Sequence, residues 1–215
     1  MASLVDLLKK QIDAFGPLTI AGYMRECLMH PKYGYYQQQT VFGEQGDFIT
    51  APEISQMFGE LCGLWGLDQM FSQQIDQHAG WVELGPGRGT LMADIIRVAT
   101  TAMPDNQRTW PVHLIDIHDG LIAQQRTKLS EHTDLYHHAD LSNLPSIPLI
   151  FIANEFFDAL PIRQFIAKNS AWYERKVSID AEDYKLVISD TAEISLALPA
   201  PEQDGQIAEY APDLP

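Results

Sequence analysis

Three stretches of this 215-residue chain hold residues whose types and spacing could do chemistry. The first is Glu83-Leu84-Gly85-Pro86-Gly87-Arg88-Gly89-Thr90, an acid followed by three glycines at alternate positions. Glycine tolerates positive φ and lets a ligand approach the backbone with no Cβ in the way. A dinucleotide fingerprint needs G-x-G-x-x-G, and Thr90 stands where its last glycine belongs. Taken alone the loop is a weak signal, compatible with a structural turn or with several nucleotide sites. The second stretch is Asp116-Ile117. An acid at a strand end can accept hydrogen bonds from both ribose hydroxyls of an adenosine, or it can cap the helix that follows. The neighbouring glycine turn favours the ligand role. The third is Asn154-Glu155-Phe156-Phe157-Asp158-Ala159-Leu160-Pro161. Asn154 offers a carbonyl to a nucleophilic N–H, and Glu155 and Asp158 offer carboxylates to a guanidinium or amine. The plainer alternative is that Glu155 caps a turn while Phe156 and Phe157 are core.

The surrounding pattern places these stretches on a parallel sheet. Apolar runs at Trp81–Leu84, Val112–Asp116, Leu135–His137 and Leu149–Ala153 alternate with helical patterns. One helix follows the glycine turn and ends near Met103-Pro104; another runs from about Gly120 to Leu129. The candidate residues then lie at carboxyl ends of strands, where open α/β sheets bind ligands. Acids there suit S-adenosylmethionine (SAM), whose sulfonium and ammonium outweigh its one carboxylate. A pyrophosphate would want exposed N–H groups and no carboxylate nearby. On this reading Glu83, Gly85, Pro86, Gly87, Gly89, Thr90, Asp116, Ile117 and Asn154 bind cofactor, with Glu83 at the methionine portion and Asp116 at the ribose. Methyl transfer is an in-line displacement in which the protein positions the reactants and receives a proton from a cationic nitrogen. Asn154, Glu155 and Asp158 are the candidates for that work, together with the acids Asp47 and Glu53 of the loop ahead of the sheet.

Before the sheet, Leu4, Leu7, Leu8, Ile12 and Phe15 fall at helical spacing, and Thr19 can cap a second helix through Leu28. The loop from Phe42 to Glu53 carries aromatics and acids, among them Asp47 and Glu53. It reads equally as a substrate-facing rim or as a hydrophobic plug. A long helix from Glu53 through Met70 is expected to bury Met57, Phe58, Leu61, Leu64, Trp65 and Leu67. After the sheet, Arg163–Ala167, Trp172–Ile179, Tyr184–Ser189 and Glu193–Leu198 alternate as an antiparallel meander. The expected division is a helical segment over 1–78, a Rossmann-like core over 79–162, and the strand insertion with the C-terminal end over 163–215.

Composition narrows the classes. A formal charge of −15 argues against a binder of nucleic-acid phosphates, and no apolar run approaches the roughly 18 residues of a membrane span. Two cysteines give no disulfide framework, so a reducing, cytoplasmic setting is the default. The seven histidines include no H-x-x-x-H pair, and no metal is expected. No G-x-S-x-G elbow occurs, which counts against a serine hydrolase.

The motifs together resemble the MidA family of bacterial and mitochondrial SAM-dependent methyltransferases, whose mitochondrial member is a complex I assembly factor that methylates an arginine. The resemblance rests on Gly34-Tyr35-Tyr36, on Gly46 through Glu60, on Glu83 through Leu91 with its E-x-G-x-G-x-G spacing, and on Asn154 through Pro161. It implies a class I, Rossmann-like methyltransferase fold, SAM as cofactor and a protein arginine as acceptor. It makes the Phe42–Glu53 loop part of the active-site wall, and adds a mitochondrial matrix setting for a eukaryotic source. Two departures stand out. The family has Glu, then Ser-Pro, where Asp116-Ile117-His118-Asp119 stands here, although the acid is kept. Family members also run well beyond 300 residues, and Gly205–Pro212 resembles a segment from their middle. A seven-stranded sheet needs three more strands, and nothing after Pro201 is expected to supply them. The expectation is an N-terminal fragment whose uncovered sheet is a candidate for homodimer contacts. The rival readings are a small-molecule methyltransferase and a non-catalytic assembly protein that keeps the fold.

Overall fold

The computed structural model describes residues 3–35, 50–76, 78–102, 110–132, 134–180 and 183–211. They group into two compact units, one from residues 3–35 and 159–211, the other from 50–158.

The first unit begins with helix α1 (Leu4–Phe15). Ser3 caps it in a reciprocal box with Asp6, and Leu8 and Ile12 are its buried residues. Phe15, on the same spacing, is 87% exposed. A two-residue strand, β1 (Leu18–Thr19), leads to helix α2 (Ile20–Met29), whose Gly22 N–H is accepted by the Thr19 hydroxyl at 3.0 Å. The rest is antiparallel: β6 (Arg163–Lys168), β7 (Ala171–Asp180), β8 (Asp183–Ala192) and β9 (Ile207–Tyr210), in the order β1-β7-β6-β9 with β8 also paired to β7. Phe165, Ala167 and Trp172 form its core.

One expectation fails in this unit. Glu193–Leu198 is not a strand, and its apolar alternation is used only in part: Leu196 and Leu198 pack on that core while Ile194 is 92% exposed. The segment is pinned at both ends, by Glu193 N–H donating to the Trp172 carbonyl at 2.7 Å and Trp172 Nε1 donating to the Pro199 carbonyl at 2.7 Å. Side chains there are fixed without a ladder. The strand that follows Pro201, β9, pairs with β6 in this antiparallel sheet and adds nothing to the parallel one.

The second unit is the parallel sheet. Its strands are β2 (Gly80–Leu84), β3 (Val112–Ile115), β4 (Leu135–His138) and β5 (Leu149–Ile152), in the order β4-β3-β2-β5. All pairs are parallel and in register, Glu83 opposite both Leu114 and Ile152, Leu84 opposite Ile115. Helix α5 (Thr90–Ala102) and helix α6 (Asp119–Lys128) follow β2 and β3, as the pattern predicts. Trp81, Val112 and Leu114 pack with Met92, Ile95 and Ala99 of α5 in one core; Val82, Leu84 and Ile115 form a second cluster with Phe156.

The long helix expected from Glu53 is interrupted. A short helix α3 (Ala51–Ile54) ends at Ser55, whose backbone is extended, and α4 runs from Gln56 to Ser72. The buried side of α4 is also different. Leu67 is buried as expected and Phe58 packs partly against the core, but Met57 is 63% exposed, Leu61 58%, Leu64 45% and Trp65 57%. Gly59, Gly63 and Gly66 are turned inward instead. A Cβ on Gly63 would lie 2.5 Å from Val98 Cγ1, and one on Gly66 2.2 Å from the Trp81 ring. The helix presses its thinnest face onto α5 and the sheet, which leaves the large apolar side chains on the opposite side.

Candidate functional site

The site is assembled by strand register. Because Leu84 pairs with Ile115, and Glu83 with Ile152, the residues leaving β2, β3 and β5 emerge side by side. Gly85, Asp116 and Asn154 are brought to one edge of the sheet, between strands whose connections run in opposite directions. That is the switch point at which open α/β sheets bind ligands.

Gly85, Gly87 and Gly89 all have positive φ (62°, 53° and 78°), so the alternation of glycines is demanded by the backbone. The turn is held by Gly85 N–H donating to the Ile115 carbonyl (3.0 Å) and Gly89 N–H to the Pro86 carbonyl (2.8 Å). Pro86 itself is buried. A Cβ on Gly85 would strike the Phe156 ring at 2.6 Å, whereas one on Gly87 would meet nothing within 4 Å. Gly85 is therefore required for packing as well as for φ, while Gly87 presents bare backbone to open space.

Glu83 is 3% exposed and shares a strand face with Trp81. Burial raises its pKa to about 8; a hydrogen bond with the Met92 backbone works against the rise, and the charge of Asp116 adds to it. One of its carboxyl oxygens, Oε2, has no partner among the described residues. A buried acid with an orphaned oxygen next to an open glycine turn fits a cationic group such as the methionine end of SAM.

Asp116 lies half-buried just past β3. Its Oδ1 accepts from the His118 N–H at 2.9 Å and its Oδ2 from Gln125 Nε2 at 2.8 Å. The helix cap of α6 is His118, whose ring accepts from the Leu121 N–H at 3.4 Å. The capping alternative for Asp116 is thus taken by another residue, and its carboxylate keeps lone pairs for a ribose. Ile117 is 73% exposed beside it.

Asn154 is half-buried; Glu155 and Asp158 are exposed, Asp158 within a 3-10 turn over Phe157–Ala159. Glu155 has φ +54°, a left-handed conformation uncommon outside glycine and concentrated at functional sites. Of the two phenylalanines, Phe156 is packed into the second cluster and Phe157 is 54% exposed, so the core reading holds for one of them.

Glu53 is committed to other partners. It forms a bidentate ion pair with Arg88 of the glycine turn and accepts from the Thr90 hydroxyl at 2.8 Å. Burial pushes its pKa up, but hydrogen bonds from Arg88 and Thr90 and the charges of Arg88 and Lys128 hold it below the ordinary value. Lys128 Nζ donates to the Thr90 hydroxyl at 2.6 Å. An ionised, paired Glu53 braces the glycine turn, whereas the sequence makes it a catalytic candidate. Asp47, with residues 42–49 of that loop, lies outside the described residues. Among the described residues no cluster of His, Cys, Asp and Glu could hold a metal. His137 and His138 point to opposite faces, toward Gln125 and His113 respectively.

A parallel β4-β3-β2-β5 sheet with a glycine turn after β2 is the first half of a class I, Rossmann-like methyltransferase sheet. Residues 61–214 match the family described as "Putative S-adenosyl-L-methionine-dependent methyltransferase", and the chain belongs to that family. Among curated relatives it is 33% identical, over 97% of its own length, to the mitochondrial protein arginine methyltransferase NDUFAF7 homolog of Drosophila melanogaster, and 34% identical over 96% to the Homo sapiens protein. It covers 54% and 52% of those proteins, so the chain spans about half the length of the relatives it matches. A Burkholderia thailandensis crystal structure bound to S-adenosyl-homocysteine superposes over 97% of this chain and 56% of its own, with a TM-score of 0.71 at 24% identity, a likeness of fold.

Proposed function

We propose that this protein is a SAM-dependent methyltransferase that transfers a methyl group to an arginine side chain of a protein. The observation that carries the reading is the buried Glu83 carboxyl, with one oxygen unpartnered among the described residues, beside a glycine turn whose backbone is open at Gly87. SAM supplies a methyl group made electrophilic by its sulfonium. Glu83 balances the cationic end of the cofactor, and Asp116 receives the ribose hydroxyls. Asn154 orients the nucleophilic N–H, and Glu155 and Asp158 hold the guanidinium. As the nitrogen–carbon bond forms and the carbon–sulfur bond breaks, the nitrogen loses a proton to one of these carboxylates and S-adenosyl-homocysteine departs. The arginine acceptor is supported by the names of the relatives, as is a mitochondrial compartment for a eukaryotic source. Among the described residues no helix is long and apolar enough to cross a membrane.

The test is transfer of labelled methyl from SAM into a cell lysate, comparing wild type with Glu155→Ala. Label should appear in protein, as methylarginine after hydrolysis, and fall at least tenfold in the variant. Label in lipid or small metabolites would overturn the arginine acceptor. Binding of S-adenosyl-homocysteine with no transfer to anything would favour the non-catalytic assembly reading.

A further inference from the structure

Gln125 is fully buried in the middle of α6, a helix with otherwise exposed or half-buried residues. A buried amide must find partners for two N–H groups and a carbonyl; here the N–H groups are satisfied by parts of the candidate site and the carbonyl by a histidine on β4. Its Nε2 donates to the Gly87 carbonyl at 2.8 Å and to Asp116 Oδ2 at 2.8 Å. Its Oε1 is 3.1 Å from His137 Nε2 on β4, which must therefore carry the proton. The carbon stem of Gln125 lies 3.5 Å from where a Cβ on Gly89 would stand. One side chain thus ties the centre of the glycine turn to the acid at the next strand end, while a histidine from a third strand fixes which way its amide faces.

We propose that Gln125 is a positioning residue for cofactor binding, holding the glycine turn and the Asp116 carboxylate in mutual register, with His137 locking its amide. The proposal rests on the reading of that turn and of Asp116 as the SAM site. With His118 N–H and Gln125 Nε2 on separate oxygens, the carboxylate plane is fixed and one lone pair on each oxygen is left for a ribose hydroxyl. Without Gln125 the carboxylate can rotate and the carbonyl of Gly87 loses its donor. Both changes act on the ligand through other residues.

The experiment is calorimetry with S-adenosyl-homocysteine on the whole chain. Gln125→Met keeps the length and volume of the side chain and removes both donors. A hydrogen bond to a charged group of this kind corresponds to a loss of affinity of about 10- to 100-fold. In an Asp116→Ala background the same substitution should cost less than about threefold, because non-additivity is the signature of residues acting as one unit. His137→Phe, at a half-buried strand position, tests the lock without emptying the buried site. It should weaken binding about three- to tenfold, and in steady state should raise the KM for SAM while kcat stays within about threefold. Wild type that binds while Gln125→Met and His137→Phe bind equally well would overturn the inference and leave the proposed function standing. An undiminished Gln125→Met effect in the Asp116→Ala background would also overturn it. Wild type that fails to bind S-adenosyl-homocysteine would remove both.

Discussion

On the proposed reading, the charge preference of Glu83 reverses when cofactor binds. In the fold its carboxyl keeps a proton up to about pH 8, against an ordinary value of 4.5, because ionising it would bury a charge with nothing opposite. The arrival of a sulfonium and an ammonium supplies that partner, so binding near neutral pH should release a proton from it. Two measurements follow from the same group. Across pH 4.5 to 8 the folded chain binds more protons here than the unfolded chain. Its contribution to stability is therefore full below pH 4.5 and is lost as pH rises through about 8. Glu83→Gln cannot ionise and should flatten that slope in urea titrations. At pH 8 the variant should exceed wild type by on the order of 2–4 kcal/mol, and near pH 4 the two should coincide. Its SAM affinity should fall about tenfold, and the buffer-dependent part of the wild-type binding enthalpy should vanish with it. Parallel stability slopes in the two proteins would show that the carboxyl is ionised in the fold.

At the level of the element, α4 shows where reading from sequence succeeds and where it fails. Its existence was visible from a long apolar run, but its orientation was not. Large apolar residues at helical spacing normally mark the core face, and Met57, Leu61, Leu64 and Trp65 have that spacing. The competing face, Gly59, Gly63 and Gly66, carries no hydrophobic signal because glycine contributes through its absence of volume. Gly66→Ala makes the trade measurable. Alanine is favoured over glycine in a helix by roughly 1 kcal/mol, but the added methyl would stand 2.2 Å from a Trp81 ring that is itself buried. Overpacking a rigid contact costs about 1–3 kcal/mol, so the variant should melt at a lower temperature in spite of its better propensity. A higher melting temperature would mean that the helix can back away from the sheet. Glu193–Leu198 failed for a related reason: alternation reports which side chains face a core, and a pinned irregular segment meets that condition without pairing. By contrast β2 and β3 were readable almost to the residue, since a parallel strand covered on both faces writes a continuous apolar run that a glycine or acid then ends; β5 has such a run without that cover, for Phe151 is 49% exposed. Gln125 was not readable at all. A lone glutamine in a polar helix looks like solvent-facing surface until β4 and the glycine turn are placed around it.

For the molecule as a whole the governing quantity is charge. Twenty-nine acidic side chains against fourteen lysines and arginines give −15, and the surface carboxylates at Glu155 and Asp158 lie at the site with no basic partner assigned to them among the described contacts. An arginine-bearing acceptor is drawn to such a field from outside the contact distance, and that attraction is screened over about 8–10 Å at ordinary ionic strength. The cofactor differs: SAM has a net charge of only about one, and Glu83, the group proposed to meet its cationic end, is buried. The two substrates should therefore respond differently to salt. Between 50 and 500 mM NaCl the KM for a basic, arginine-containing peptide should rise about five- to twentyfold, while the KM for SAM shifts by less than about twofold. Initial rates of methyl transfer at saturating concentration of the other substrate separate the two. Equal salt dependence for both would mean that the acidic surface serves solubility alone. A salt-independent KM for the peptide, together with a strongly salt-dependent one for SAM, would place the acceptor in an enclosed pocket and count against a protein side chain as the group that is methylated.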